Sequence, residues 1–102
     1  MRNFREFSDR SVKMISREVT IQNKQGLHAR AATYFVQKAS SFKSTISVEK
    51  GEHRMNAKSL LGVLSLGINQ NTTVTLFADG PDEVEALEAL AELVSKPEIK
   101  QL

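Results

Sequence analysis

Hydrophobic and polar positions alternate over residues 17–22, with Val19 and Ile21 on one face and Glu18 and Thr20 on the other. A period of two is that of an extended chain, so this stretch predicts a half-buried strand. Asn23-Lys24-Gln25-Gly26 breaks it as a turn. From Ala29 to about Phe42 the period lengthens: Ala29, Ala32, Phe35 or Val36, and Ala39 follow helical spacing, and Ser40 and Ser41 weaken the helix end. Residues 45–50 predict a second strand with Ile46 and Val48 inward. Lys50-Gly51-Glu52 reads as a hairpin turn, and residues 54–57 as a short third strand with Met55 and Ala57 inward. Ser59 is placed to cap a short apolar helix over residues 60–66, with Gly62 inside it and Gly67 ending it. Residues 72–78 form a β-branched, alternating strand with Val74, Leu76 and Ala78 inward. Asp79-Gly80-Pro81 is a break, and Asp79 or Asp82 can cap the last helix. Val84, Leu87, Leu90, Ala91 and Val94 trace that helix as an amphipathic stripe, and Pro97 stops it.

The predicted order is strand, helix, strand, strand, helix, strand, helix. Four strands and three helices make a two-layer α+β domain, with the helices on one face of the sheet and a mostly polar second face. The length of 102 residues suits one such domain. Cysteine is absent, which removes disulfides, thiolate metal sites and cysteine nucleophiles. With two histidines, no metal site and no cofactor is expected. No apolar run approaches the ~20 residues of a membrane span, so no membrane insertion is expected. Cytoplasm is the expected compartment.

Charge is unevenly placed. Residues 1–14 hold four basic side chains (Arg2, Arg5, Arg10 and Lys13) against Glu6 and Asp9, while the rest holds ten of each sign. Residues 1–14 therefore read as an N-terminal extension, expected to be loosely ordered, and 15–102 as the folded domain. Phe4 and Phe7 give the extension one weak helical face, and Met14 is a second candidate start. A balanced body with a single tyrosine and no tryptophan offers neither the basic face nor the stacking surface that nucleic acid needs, so no nucleic acid is expected.

The candidate reactive group is His28, between the glycine turn and the first helical residue. The first N–H groups of a helix have no intrahelical acceptor, and with the helix dipole they form an anion site. An imidazole held there can attack a phosphoryl group whose oxygens the amides of Ala29 and Arg30 receive. The planar, permanently charged guanidinium of Arg30 can steady the same oxygens. No Asp or Glu lies close in sequence to serve as a base for hydrolysis, the nearest being Glu18. A transfer station needs less machinery than a hydrolase: a nucleophile, anion contacts, and a partner that supplies the rest. His53, which comes after Gly51-Glu52, reads as a solvated turn residue.

The string Gly26-Leu27-His28-Ala29-Arg30-Ala31-Ala32 closely resembles the active-site motif of HPr, the histidine-containing phosphocarrier family of the bacterial phosphoenolpyruvate-dependent sugar phosphotransferase system. Lys58-Ser59-Leu60-Leu61-Gly62-Val63-Leu64-Ser65-Leu66-Gly67 resembles that family's regulatory-serine segment, about thirty residues on. The resemblance implies an open-faced β-sandwich, a four-stranded antiparallel sheet with three helices on one side. It implies that His28 is phosphorylated on Nδ1 by phosphorylated enzyme I and passes the group to the A domain of a sugar-specific enzyme II. Arg30 resembles the family's active-site arginine. Ser59 resembles the serine phosphorylated by HPr kinase/phosphorylase, a form that joins a catabolite-control repressor. The chain departs from the family pattern at Ala31, where proline is usual. A regulatory relative keeps the serine segment and lacks the histidine, so His28 argues for a carrier. The rival readings are a regulatory paralogue acting through phosphorylated Ser59, and a small protein-interaction domain without phosphotransfer.

The short helix has more apolar residues than one buried face uses. Leu60, Val63 and Leu66, at spacing three, are expected in the core, and Leu61 and Leu64 are expected exposed, as the apolar centre of partner docking. Lys24, Lys38 and Lys58, with Arg30, are expected to form its charged rim.

Overall fold

A computed structural model describes residues 14–98; the expected extension, Met14 apart, and residues 99–102 lie outside them. The chain folds in the expected order: β1 Ile15–Thr20, α1 Ala29–Ser40, β2 Thr45–Lys50, β3 His53–Asn56, α2 Leu60–Ser65, β4 Thr73–Asp79 and α3 Glu83–Val94. The four strands make one sheet in the order β1-β4-β2-β3, with every pair antiparallel. β4 and β2 take the two inner places, and β1 and β3 form the edges.

Alternation divides the sheet into two surfaces. Ile46, Val48, Val74, Leu76 and Ala78 point into the core, where Phe35 and Ala32 of α1, Val63 of α2 and Leu90 and Val94 of α3 meet them. The alternative left open at 35 or 36 resolves in favour of Phe35, which is fully buried, with Val36 half-buried beside it. The opposite face carries Glu18, Thr20, Ser47, Glu49, Arg54, Thr73 and Thr75 around one aromatic, Phe77. Arg54 lies over that ring at 3.8 Å from its centroid and 3.7 Å from Glu49. The cation covers the ring's negative face, so the single large apolar group of the open surface is not bare.

Several expectations need correction. β1 starts two residues earlier than its alternation suggested and ends at Thr20. α1 stops at Ser40, because Ser41 and Phe42 turn their amides back to Lys38 and Ala39 in a tighter i→i−3 pattern. His53 is the first residue of β3, paired with Lys50; it is exposed, as expected, but it is a strand residue and not a turn residue. Ala57 is buried just beyond β3, its amide bonded to Ile46. Val84 is 53% exposed. It precedes Ala91 by two helical turns and so falls at the edge of α3's buried stripe, in the turn furthest from cover. Leu60, expected in the core, is exposed, and Leu64, expected exposed, is half-buried against the core. α2 turns Val63 and Leu66 inward. Leu60 and Leu64 stand four apart on one side of the helix, and it is Leu64, nearer the C-terminal end of α2, that packs against the core.

Asp82 stands at the N-cap position of α3, but its side chain makes no capping bond. Its carboxylate instead accepts from the backbone N–H of Lys43 at 2.9 Å, the N–H of Ser44 at 3.0 Å and the Ser44 hydroxyl. Glu83 supplies the missing local contact by accepting from Gly80 N–H at 3.0 Å. Asp82 thus ties the turn before α3 to the turn before β2. The Ser44 hydroxyl first, then the Lys43 amide, hold the Asp82 carboxyl below the usual carboxylate range. A lowered folded-state value means stabilisation that is complete at neutral pH and lost as pH falls through the folded value. Asp82→Asn should therefore lower the urea midpoint at pH 7, and the difference from the parent should shrink as pH is taken below about 4. A difference that stays constant down that range would show that the charge on Asp82 contributes nothing.

Candidate functional site

The segment before α1 is held by its backbone. Gly26 donates to Asn23 O at 3.0 Å, closing a tight turn, and the Asn23 side chain donates back to Gly26 O. Leu27, fully buried, donates its N–H to Ile68 O at 2.9 Å. Gly26 has φ +64°, and a Cβ there would lie 2.3 Å from Ile68 O and 2.8 Å from Asn69 Cα. No other residue fits that approach, so glycine is what allows the two loops to touch. The consequence falls on a neighbouring side chain. His28, exposed, is set beside Asn69, with Nε2 2.8 Å from Asn69 Oδ1.

His28 itself is extended, at φ −112° and ψ 152°, and occupies the N-cap position of α1 without a side-chain capping bond. Its carbonyl accepts from Ala31 N–H at 3.0 Å and Ala32 N–H at 3.4 Å. Ala29 has φ 44°, in the left-handed region that non-glycine residues avoid. Among the described residues, no acceptor meets the N–H of Ala29 or Arg30, and the Arg30 side chain is exposed without a partner. The arrangement is an exposed imidazole at the N-cap, followed by two free amide donors and an exposed arginine, at the positive end of a 12-residue helix. Ala31, at the position of the expected proline, is buried and uses an N–H that proline lacks.

Ser59 lies in a separate turn and caps α2, its Oγ accepting from Gly62 N–H at 3.1 Å. The carbonyls just past the end of α2 are met by Lys50, whose Nζ donates to Leu66 O and Gly67 O, both at 3.0 Å. The chain then runs through Gly67 and Ile68 to Asn69. The end of α2 therefore leads directly to the histidine, and the exposed apolar surface of Leu60 and Leu61 (81% exposed) stands on the helix adjoining the site. Lys24 is exposed and its amide donates to Pro97 O; Lys38 is half-buried in the last turn of α1. The Lys58 ammonium is committed to Phe42 O at 2.8 Å. The sequence pattern does not single out Asn69 or Lys50. Each acts through a partner forty-one or sixteen residues away, and no local pattern announces such a pairing.

A family model described as "PTS HPr component phosphorylation site" matches residues 15–96. The chain belongs to the HPr family. It is 45% identical over 83 residues to the HPr-like protein Crh of Halalkalibacterium halodurans, covering 81% of this chain and 99% of that protein. It is 44% identical over 82 residues to the phosphocarrier protein HPr of Neisseria meningitidis, covering 80% and 92%. Among solved structures it is similar to HPr-C-His from Thermoanaerobacter tengcongensis, with a TM-score of 0.80 and 46% identity over 86% of this chain and 99% of that one. HPr is a phosphocarrier family of the phosphotransferase system, and its relatives here include both HPr and Crh. No helix among the described residues is long and apolar enough to cross a membrane.

The strained and crowded backbone of the site makes two substitutions diagnostic. Gly26→Ala should destabilise the fold by about 2 kcal/mol or more, because both the φ and the Ile68 carbonyl forbid its Cβ. Ala29→Gly should do the opposite, stabilising by a few tenths to about 1 kcal/mol, since glycine adopts a positive φ without steric cost. Thermal unfolding of the two variants tests both signs, and a destabilised Ala29→Gly would contradict the left-handed conformation.

Proposed function

We propose that this chain is a phosphocarrier. His28 accepts a phosphoryl group on Nδ1 from phosphorylated enzyme I and donates it to the A domain of a sugar-specific enzyme II. The observation that carries this reading is the exposed His28 ring at the start of α1, beside the unpartnered amides of Ala29 and Arg30. In the transfer the ring nitrogen forms a bond to phosphorus, the donor's bond to phosphorus breaks, and its electron pair stays with the donor. The oxygens of the phosphoryl group fall to the Ala29 and Arg30 amides, which the helix start holds in place, and to the exposed Arg30 guanidinium, which can swing to meet them. No base or metal is assigned a part, so the protein catalyses little alone and depends on the partner's chemistry. Residues 15–102 form the carrier domain, residues 1–14 an extension to it, and the partners place the work in the cytoplasm.

Leu61 with Leu60 is the exposed apolar surface assigned to partners, with Lys24, Arg30 and Lys38 as its proposed charged rim; Lys58 contributes less freely because its ammonium is already bonded. A second reading is supported by Ser59. Its half-buried Oγ already serves as the cap of α2, so a phosphate there would add about −2 charge beside Leu60 and Leu61 while keeping the helix start. We propose that HPr kinase/phosphorylase acts on this serine, and that the phosphorylated form engages a catabolite-control repressor and disfavours docking to enzyme I.

Incubation with phosphoenolpyruvate and enzyme I should place acid-labile label on His28, and His28→Ala should abolish it. Label confined to Ser59 after incubation with ATP and the kinase would instead favour the regulatory reading. Ser59→Asp should slow labelling by enzyme I. Leu61→Ala should weaken docking, seen as a raised KM of enzyme I for the carrier, with a stability change within about 0.5 kcal/mol because the side chain is exposed.

A further inference from the structure

The histidine has one side-chain partner among the described residues, and the chemistry of that partner decides which ring nitrogen is free. A neutral imidazole carries one N–H and one lone pair, and an amide oxygen can only accept. With Asn69 Oδ1 2.8 Å from His28 Nε2, the proton belongs on Nε2 and the lone pair on Nδ1. The placement of Asn69 is built into the fold. The adjoining Ile68 is fully buried and its carbonyl is taken by Leu27 N–H, Gly26 packs directly on the Asn69 backbone, and Asn69 O accepts from Thr72 N–H at 3.2 Å.

We infer that Asn69 is a positioning residue that selects the Nε2–H tautomer of His28, presenting Nδ1 as the nucleophile and holding Nε2–H through the phosphorylated state. The consequence for transfer rests on the phosphocarrier reading; the tautomer does not. When Nδ1 bonds to phosphorus, Nε2 keeps its proton and the ring becomes a cation, balancing part of the charge of the incoming phosphoryl group. Its N–H then donates to Asn69 Oδ1 from a charged donor, a stronger bond than before. No proton leaves the ring during transfer, so no general base is required, in keeping with the absence, among the described residues, of a carboxylate bonded to His28. Asn69 thereby favours the product without touching the phosphoryl group.

Long-range 1H–15N correlation spectra of the full chain, unphosphorylated and above the pH at which the ring is protonated, read the tautomer directly. The parent should show a pyrrole-type Nε2 and a pyridine-type Nδ1. Asn69→Ala, at an exposed position where the turn bonds are backbone, should shift the two nitrogens toward the mixed values of free imidazole. It should also slow labelling by enzyme I roughly three- to tenfold, the range expected for one lost hydrogen bond. Asn69→Asp, still an acceptor, should keep the Nε2–H form but move the pH profile of labelling upward, since a carboxylate favours the ring cation. A dominant Nδ1–H form in the parent, or an unchanged tautomer balance in Asn69→Ala, would overturn the inference. If enzyme I leaves His28 unlabelled in the parent, the phosphocarrier reading fails, while the nitrogen shifts still decide the Asn69 contact.

Discussion

One backbone hydrogen bond, from Leu27 N–H to Ile68 O, organises the chemistry of this protein. It joins the loop leading into α1 to the loop leaving α2, and it forms only because Gly26 carries no side chain where those loops meet. Around it, Ile21 exchanges backbone bonds with Thr72 and Asn71, and Gln22 and Lys24 reach the end of α3. The histidine loop is therefore tied to three different parts of the chain. An exposed loop side chain usually sits on a mobile backbone; here the His28 ring is exposed while its main chain is locked.

The start of α1 is irregular in a way that serves the same end. His28 is extended, Ala29 is left-handed, and the regular helix takes hold only from Arg30. A proline would stiffen this first turn through its fixed φ. Ala31 reaches a similar result by another route, donating its N–H to the His28 carbonyl and burying its methyl group in the core. The change trades ring rigidity for a hydrogen bond, and the two leading amides stay open in either case.

The second helix serves two surfaces at once. Its six residues turn Val63 inward and leave Leu61 in solvent, and Lys50 holds the two carbonyls that follow them. An apolar side chain kept in water on a short, well-capped helix costs little in folding and leaves area for a transient partner. Ser59 at the head of the helix and Asn69 beyond its tail bracket that area, so under the proposed function a charge added at one end and a phosphoryl group carried at the other would act on the same neighbourhood.

The order of elements, the inward faces of β2 and β4 and the two motifs that carry the family resemblance were all readable in the chain, because periodicity and local turn chemistry involve residues within one or two turns of each other. Val74, Leu76 and Ala78 could face nowhere but the core, and Gly26-Leu27-His28 marked a helix start by itself. The burial of Leu64 rather than Leu60 was not readable: a six-residue helix is too short for its period to define a face, and the neighbours that cover it decide. Nor could the sequence show that Asp82 would give up its own helix cap to bind Lys43 and Ser44, or that Asn69 would meet His28. Both are long-range pairings created when the loops are brought together, and a side chain's hydrogen-bond partner depends on that closure, not on the residues beside it in the chain.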